Sequence, residues 1–229
     1  MLGVMLIHTM RKIHGALFME TERVEKMNPG YLSLIWIVIS LILLVSGWKD
    51  VVLHNIPRRQ IAVFFIAWFL LVFVQFEVKG MKVCGIVPLI AVIGIYGLVS
   101  RISAERRLQT ITAVILLGTI DFGMRQTEGI AAPALPDSAF ILALAVTLLV
   151  RKPALQISAL SLSLLLSEGM VLVAAGGRMP ASLGDAVFQD HWWMTVCTAR
   201  IWTLLAEGAA AAVKHGYHSL LERTRQWRK

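Results

Sequence analysis

The stretch from His191 to Val213 reads HWWMTVCTARIWTLLAEGAAAAV. Its 23 residues are enough for a helix to cross a hydrocarbon core roughly 30 Å thick. It nevertheless carries Arg200 and Glu207 in its interior. Charge inside hydrocarbon is costly, so such residues need partners. One other acid, Glu168, lies well inside the preceding apolar segment.

The composition agrees with a membrane reading. The 229-residue chain is 57% hydrophobic and only 16% charged, with a mean hydropathy of +0.72, which is outside the usual range of a soluble domain. The expected fold is therefore all-α: a polytopic transmembrane helical bundle. The formal net charge of +8 fits cytoplasmic loops rich in Lys and Arg. Nucleic acid is not an expected partner, because no aromatic–basic platform accompanies the charge. Cys84 and Cys197 both lie in apolar stretches, without disulfide-framework or metal-ligand spacing. They read as two buried thiols.

Working outward, segment seven (His191–Val213) is preceded by a polar loop, Gly176–Asp190, and by segment six, Ala154–Ala175. The turn Arg151-Lys152-Pro153 separates six from segment five, Asp137–Val150. Segment four starts near Leu108. Its apolar core, Ile111–Ile120, is too short to span alone. Continued through Asp121 and Arg125 it reaches roughly 27 Å at 1.5 Å per residue. Asp121 and Arg125 stand at i, i+4 and can pair on one helix face. The loop TEGIAAPALP then breaks the helix. Segment three is Val83–Val99, with a kink expected at Pro88 and close approach expected at Gly85, Gly94 and Gly97. Segment two is Gln60–Phe76, and segment one is Tyr31–Trp48. The count is seven spans, with six as the alternative if segment four only dips in.

Loops after segments one, three and five, together with the tail, hold thirteen Lys and Arg; loops after two, four and six hold four. That bias puts Met27 outside and the C-terminus in the cytoplasm. Three regions follow: an N-terminal extension (1–26), a transmembrane helical domain (27–213) and a basic cytoplasmic tail (214–229). Residues 1–26 open with MLGVMLIHTM, too short to span and without a small-residue cleavage site. Their Arg11, Lys12, Arg23 and Lys26 oppose the orientation. Back-translation of Glu22-Arg-Val-Glu allows a purine-rich, ribosome-binding-like GAAAGGGTGGAA just before Met27, so Met27 is the expected start. The rival reading is a short amphipathic helix on the membrane surface.

Segments six and seven run in opposite directions, with Glu168 and Arg200 each about 10–12 Å below the expected outer helix ends. A Glu168–Arg200 ion pair is therefore expected. Glu207 follows two turns deeper on nearly the same face, and Lys214 repeats the spacing. The charged core expected from the sequence comprises Glu168, Arg200, Glu207, Asp121 and Arg125. It is either polar glue between helices or a polar pathway for a small solute. Ser161, Ser163 and Ser167 either line such a path or bond their own helix. The small residues Ala206, Gly208 and Ala209–Ala212 read as a close-packing surface.

No catalytic constellation, metal site or cofactor motif emerges. H-E-x-x-H, G-x-S-x-G and phosphate loops are absent from the sequence. The six histidines, His8, His14, His54, His191, His215 and His218, lie in tails or at segment boundaries. His215 and His218 offer two ligands at i, i+3, with no third. Arg223, Arg225, Arg228 and Lys229 surround Trp227 in the tail and are expected to touch anionic lipid headgroups. Membrane lipids are thus expected partners, with a membrane-protein partner or a homo-oligomer beside them.

The stretch MNPGYLSLIWIVISLILLVSGWKD from Met27, with Ser46-Gly-Trp-Lys-Asp closing the first helix, resembles the YphA family of small membrane proteins from spore-forming Bacillales. The resemblance covers roughly residues 27–215. It implies a cytoplasmic-membrane location and transfers no catalytic residues. Two functions are in view: a non-catalytic envelope protein that assists assembly or organises partners, or a small-solute or proton-coupled carrier built on the charged core. Mass spectrometry of the natively expressed protein is expected to find Met27 at the N-terminus; a peptide ending at Lys26 would remove that start.

Overall fold

In a computed structural model, the protein is described over residues 28–48, 56–78, 80–99, 103–127, 137–175 and 182–226. The expectations for residues 1–26, for the TEGIAAPALP loop beyond Thr127 and for the side chains of Arg223, Arg225, Arg228 and Lys229 lie outside the described residues. The chain is predominantly helical. Seven helices occur among the described residues: α1 (Tyr31–Val45), α2 (Arg58–Leu71), α3 (Ile86–Val99), α4 (Ala104–Thr127), α5 (Ser138–Leu149), α6 (Pro153–Ala174) and α7 (Ala186–Gln226). They match the seven apolar segments one for one. Two of them are long and apolar enough to cross a membrane, Pro153–Ala174 and the Ala186–Lys214 part of α7. Tyr31–Val45, Ile86–Val99 and Ser138–Leu149 are shorter apolar helices.

The fold is not wholly helical. β1 (Gln75–Val78) and β2 (Met81–Cys84) form an antiparallel hairpin, and β3 (Ser182–Leu183) adds in parallel beside β2. Segment two was expected to remain helical to Phe76, but α2 ends at Leu71. The physical reason lies in QFEV and MKVC, which alternate apolar and polar residues at a period of two. Glu77 faces Lys82 across the hairpin, an opposite-charge pair of the kind that stabilises antiparallel strands. Gly80, at φ 81, supplies the left-handed residue that such a tight turn needs. Segment three likewise starts as a strand. Pro88 therefore falls in the first turn of α3, where the missing N–H costs nothing, instead of producing the expected kink.

Both ends of the bundle are fixed by specific contacts. At the sheet end, the Asp190 carboxylate on α7 accepts from Gly30 N at 2.7 Å and Ser33 N at 2.6 Å. A side chain far along the sequence thereby caps the orphan donors of α1. At the opposite end, Gln60 Nε2 lies 3.2 Å from the Tyr96 hydroxyl, Arg107 donates to Val99 O at 3.3 Å, and Gln109 donates to Leu149 O at 3.1 Å. These contacts gather Arg58, Arg59, Arg106, Arg107, Arg151 and Lys152 at one basic end.

The core is aromatic where α2 meets α7. Trp68 stacks on Trp192 with ring centroids 5.2 Å apart, and Trp192 meets Trp193 edge-on at 5.1 Å. All three rings are buried, with the area and quadrupole terms that large rings bring. The two cysteines are free. α6 is the central helix, with its most extensive contacts to α4 and α3. The expected close approaches occur. A Cβ on Gly94 would lie 2.6 Å from Leu162 Cγ, and one on Gly97 would overlap Ser158 Oγ. Gly97→Val is expected to force α3 off α6 and cost about 1–3 kcal/mol of stability. Thermal unfolding of the detergent-solubilised protein measures it, and an unchanged midpoint would mean that this contact does not hold the helices.

Candidate charged site

α4 and α6 run side by side in the same direction. Gly118 permits this, since a Cβ there would lie 2.9 Å from Ser163 O. The two helices therefore carry Asp121, Arg125 and Glu168 to the same level near the sheet end. Arg125 Nε lies 2.9 Å from Asp121 Oδ2, the i, i+4 contact within α4. Arg125 Nη1 donates to Glu168 Oε1 on α6. His191 of α7 completes the group, with Nε2 3.2 Å from Asp121 Oδ1. Asp121 is fully buried, whereas Glu168 and His191 are 14% exposed and Arg125 24%. One guanidinium thus bridges two carboxylates and two helices, and the imidazole ties in a third helix. Guanidinium–carboxylate contact is the strong, directional form of such pairing.

The expected Glu168–Arg200 pair does not form. Arg200 instead donates from Nη1 to Gln156 Oε1 at 3.1 Å. Gln156 in turn donates to Thr203 Oγ1 at 2.9 Å and to Val150 O at 2.6 Å. Gln156 precedes Glu168 by twelve residues on α6, so Arg200 is held about 18 Å along the axis from Glu168. The start of α7 at Ala186 and not at His191 accounts for about 8 Å of that offset. Asp185 provides the reason. Its carboxylate accepts from Phe188 N at 2.9 Å, an N-terminal cap placed five residues before the polar loop was expected to end. That early start also moves His191 and Trp192 from a boundary into the bundle.

Glu207 departs from the expected core as well. It and the small residues Ala206 and Gly208–Ala212 are exposed, and a Cβ on Gly208 would meet nothing within 4 Å. This stretch therefore packs against no other helix among the described residues, because α7 continues past the level where α6 begins. Ser161 and Ser163 are fully buried. Ser161 accepts from Trp192 Nε1 at 3.1 Å, and Ser163 bonds Leu160 O at 3.0 Å. Ser161 thus ties α6 to α7, whereas Ser163 bonds a carbonyl of its own helix.

His191 and Gln156 were the residues missed. Gln156 is the one carboxamide in a segment whose other polar side chains are serines and Glu168, which was a readable sign of a buried polar partner. The chemistry available to the charged group is pairing. No group of three metal-ligating side chains occurs among the described residues, and Arg125 occupies the position between the two carboxylates where a cation would sit. No family model matches the chain, and no curated protein or solved structure is significantly similar to it.

Removing one member of a paired group strands the others. Arg125→Ala is expected to cost roughly 3 kcal/mol, the low end for a broken buried pair because Arg125 is partly exposed. The combined Asp121→Asn, Arg125→Met and Glu168→Gln variant is expected to recover stability to within about 1 kcal/mol of the wild type. Chemical unfolding in detergent reads both. A triple variant as unstable as Arg125→Ala would mean that the charges contribute beyond mutual compensation.

Proposed function

We propose that the chain is a multi-pass protein of a bacterial cytoplasmic membrane with a non-catalytic role in envelope assembly or partner organisation, and that it belongs with the YphA-like family it resembles. The observation that carries the reading is the closed pairing of Asp121, Arg125, Glu168 and His191. A carrier needs a charge that can be released and retaken. Here each carboxylate is engaged by a cation or an imidazole on a neighbouring helix or turn, as expected of charges that hold helices together.

The seven helices are proposed to span, with Met27 outside and the C-terminus in the cytoplasm. Support comes from the basic end, where six described Lys and Arg residues collect beside the α3–α4 and α5–α6 connections. The partner-organising role draws support from α7, where residues 205–214 and Tyr217 are exposed, Leu205, Val213 and Tyr217 among them. A membrane-protein partner or a second copy would cover this length of helix.

Two measurements test the proposal. A C-terminal green-fluorescent fusion is expected to fluoresce, and a C-terminal alkaline phosphatase fusion to be inactive; the reverse pattern overturns the orientation. In proteoliposomes carrying a pH-sensitive dye, the wild-type protein is expected to give no more proton flux than empty vesicles. Flux that Glu168→Gln abolishes would instead establish the carrier.

A further inference from the structure

At the basic end, α4 and the α5–α6 connection enclose a cavity of about 460 Å³. Arg106, Arg151 and Lys152 line it, together with Gln109 and Leu149. All three cations are exposed. None of them forms an ion pair among the described residues, where the ion pairs are those of Arg125 and His191. Among the described residues the three cations are thus left without an ion pair, with Glu105 at the adjoining groove.

A second cavity of about 320 Å³ adjoins the first and shares Gln109 and Leu149 with it. Leu108, Thr112 and Leu116 line this groove, spaced four residues apart on one face of α4. The groove follows the helix for about 12 Å away from the basic end. Its two leucines are substantially exposed, Leu108 at 68% and Leu116 at 47%. A cationic pocket that opens into an apolar groove running toward the bundle centre has the two-part chemistry of an anionic phospholipid.

We propose that this is a specific site for an anionic glycerophospholipid, with the phosphate among Arg106, Arg151 and Lys152 and one acyl chain along Leu108 and Leu116. The inference rests on the membrane reading above, since only a bilayer presents both parts together. Basic pockets between helices on the cytoplasmic side are the usual seats of such headgroups. A cation near an anionic headgroup is worth about fivefold in affinity, so three could give on the order of a hundredfold. Exposure, screening and Glu105 at the groove reduce the expected preference to roughly tenfold.

The full-length protein in neutral detergent is titrated with phosphatidylglycerol or with phosphatidylcholine of the same chains, and bound lipid is counted by native mass spectrometry. The wild type is expected to retain phosphatidylglycerol roughly tenfold more strongly. The Arg106→Gln, Arg151→Gln, Lys152→Gln variant is expected to lose that preference. Leu116→Trp, which fills the groove and leaves the cations in place, is expected to lower retention of both lipids with unchanged thermal unfolding. A preference that survives the triple substitution overturns the site. Leu116→Trp without effect removes the acyl groove, and displacement of the lipid by free glycerol phosphate at equal concentration reduces the site to one for a soluble anion. Failure of the membrane reading has a different signature: protein that stays in the aqueous phase without detergent.

Discussion

The bundle depends on one guanidinium. Arg125 faces Asp121 on its own helix and Glu168 on α6, and without it two carboxylates would share a poorly solvated space. Like charges at that separation repel strongly in a low dielectric. With His191 neutral, the four-residue group carries one net negative charge; with His191 protonated it carries none. The α4–α6 contact at Gly118 and the early start of α7 at Asp185 are what bring these four side chains within reach.

A second polar knot stabilises the other end of α6. Gln156 there satisfies Arg200, Thr203 and the buried main-chain carbonyl of Val150 at the α5–α6 connection. The carboxamide has both donors and an acceptor to offer. It therefore serves a cation, a hydroxyl and a main-chain oxygen at once, which a carboxylate could not. Between the two knots, α6 is lined with small residues and serines that let α3 and α4 approach. Polar contacts at both ends with close apolar packing between them set the register of α6 against α4 and α7.

The helices were legible because apolar runs bounded by charged or Pro/Gly-bearing connections leave little choice of element, and all seven segments appear as helices. The Asp121–Arg125 contact was legible for a local reason: an i, i+4 spacing places the two side chains together whatever the tertiary structure does. Contacts between helices were not, because the position of Arg200 relative to Glu168 depends on where each helix starts. Reading α7 from His191 instead of Ala186 moved Arg200 by five residues, about 8 Å. The cap that would have corrected it, Gly184-Asp185 before an apolar run, was present in the sequence but lay inside a stretch read as a loop. The hairpin was missed for a related reason. Four-residue alternations are too short to outweigh the apolar segment they follow, and pairing with Ser182–Leu183 is visible only in three dimensions.

The length of α7 changes the meaning of Glu207. At 41 residues the helix is about 60 Å long, whereas α6, with 22 residues, is about 33 Å. A hydrocarbon core of about 30 Å centred on α6 would contain α7 from its start near the sheet end to roughly Leu205. Glu207 then sits at the headgroup level, on the side where Arg106, Arg151 and Lys152 collect. A carboxylate there is solvated and needs no buried partner, consistent with its exposure in the bundle. On the proposed membrane reading the charges within hydrocarbon reduce to Asp121, Arg125, Glu168 and Arg200, and each has a polar partner on an adjacent turn or helix. On the proposed membrane reading, the sequence stripe of Arg200, Glu207 and Lys214 is one helix face leaving the hydrocarbon near Leu205.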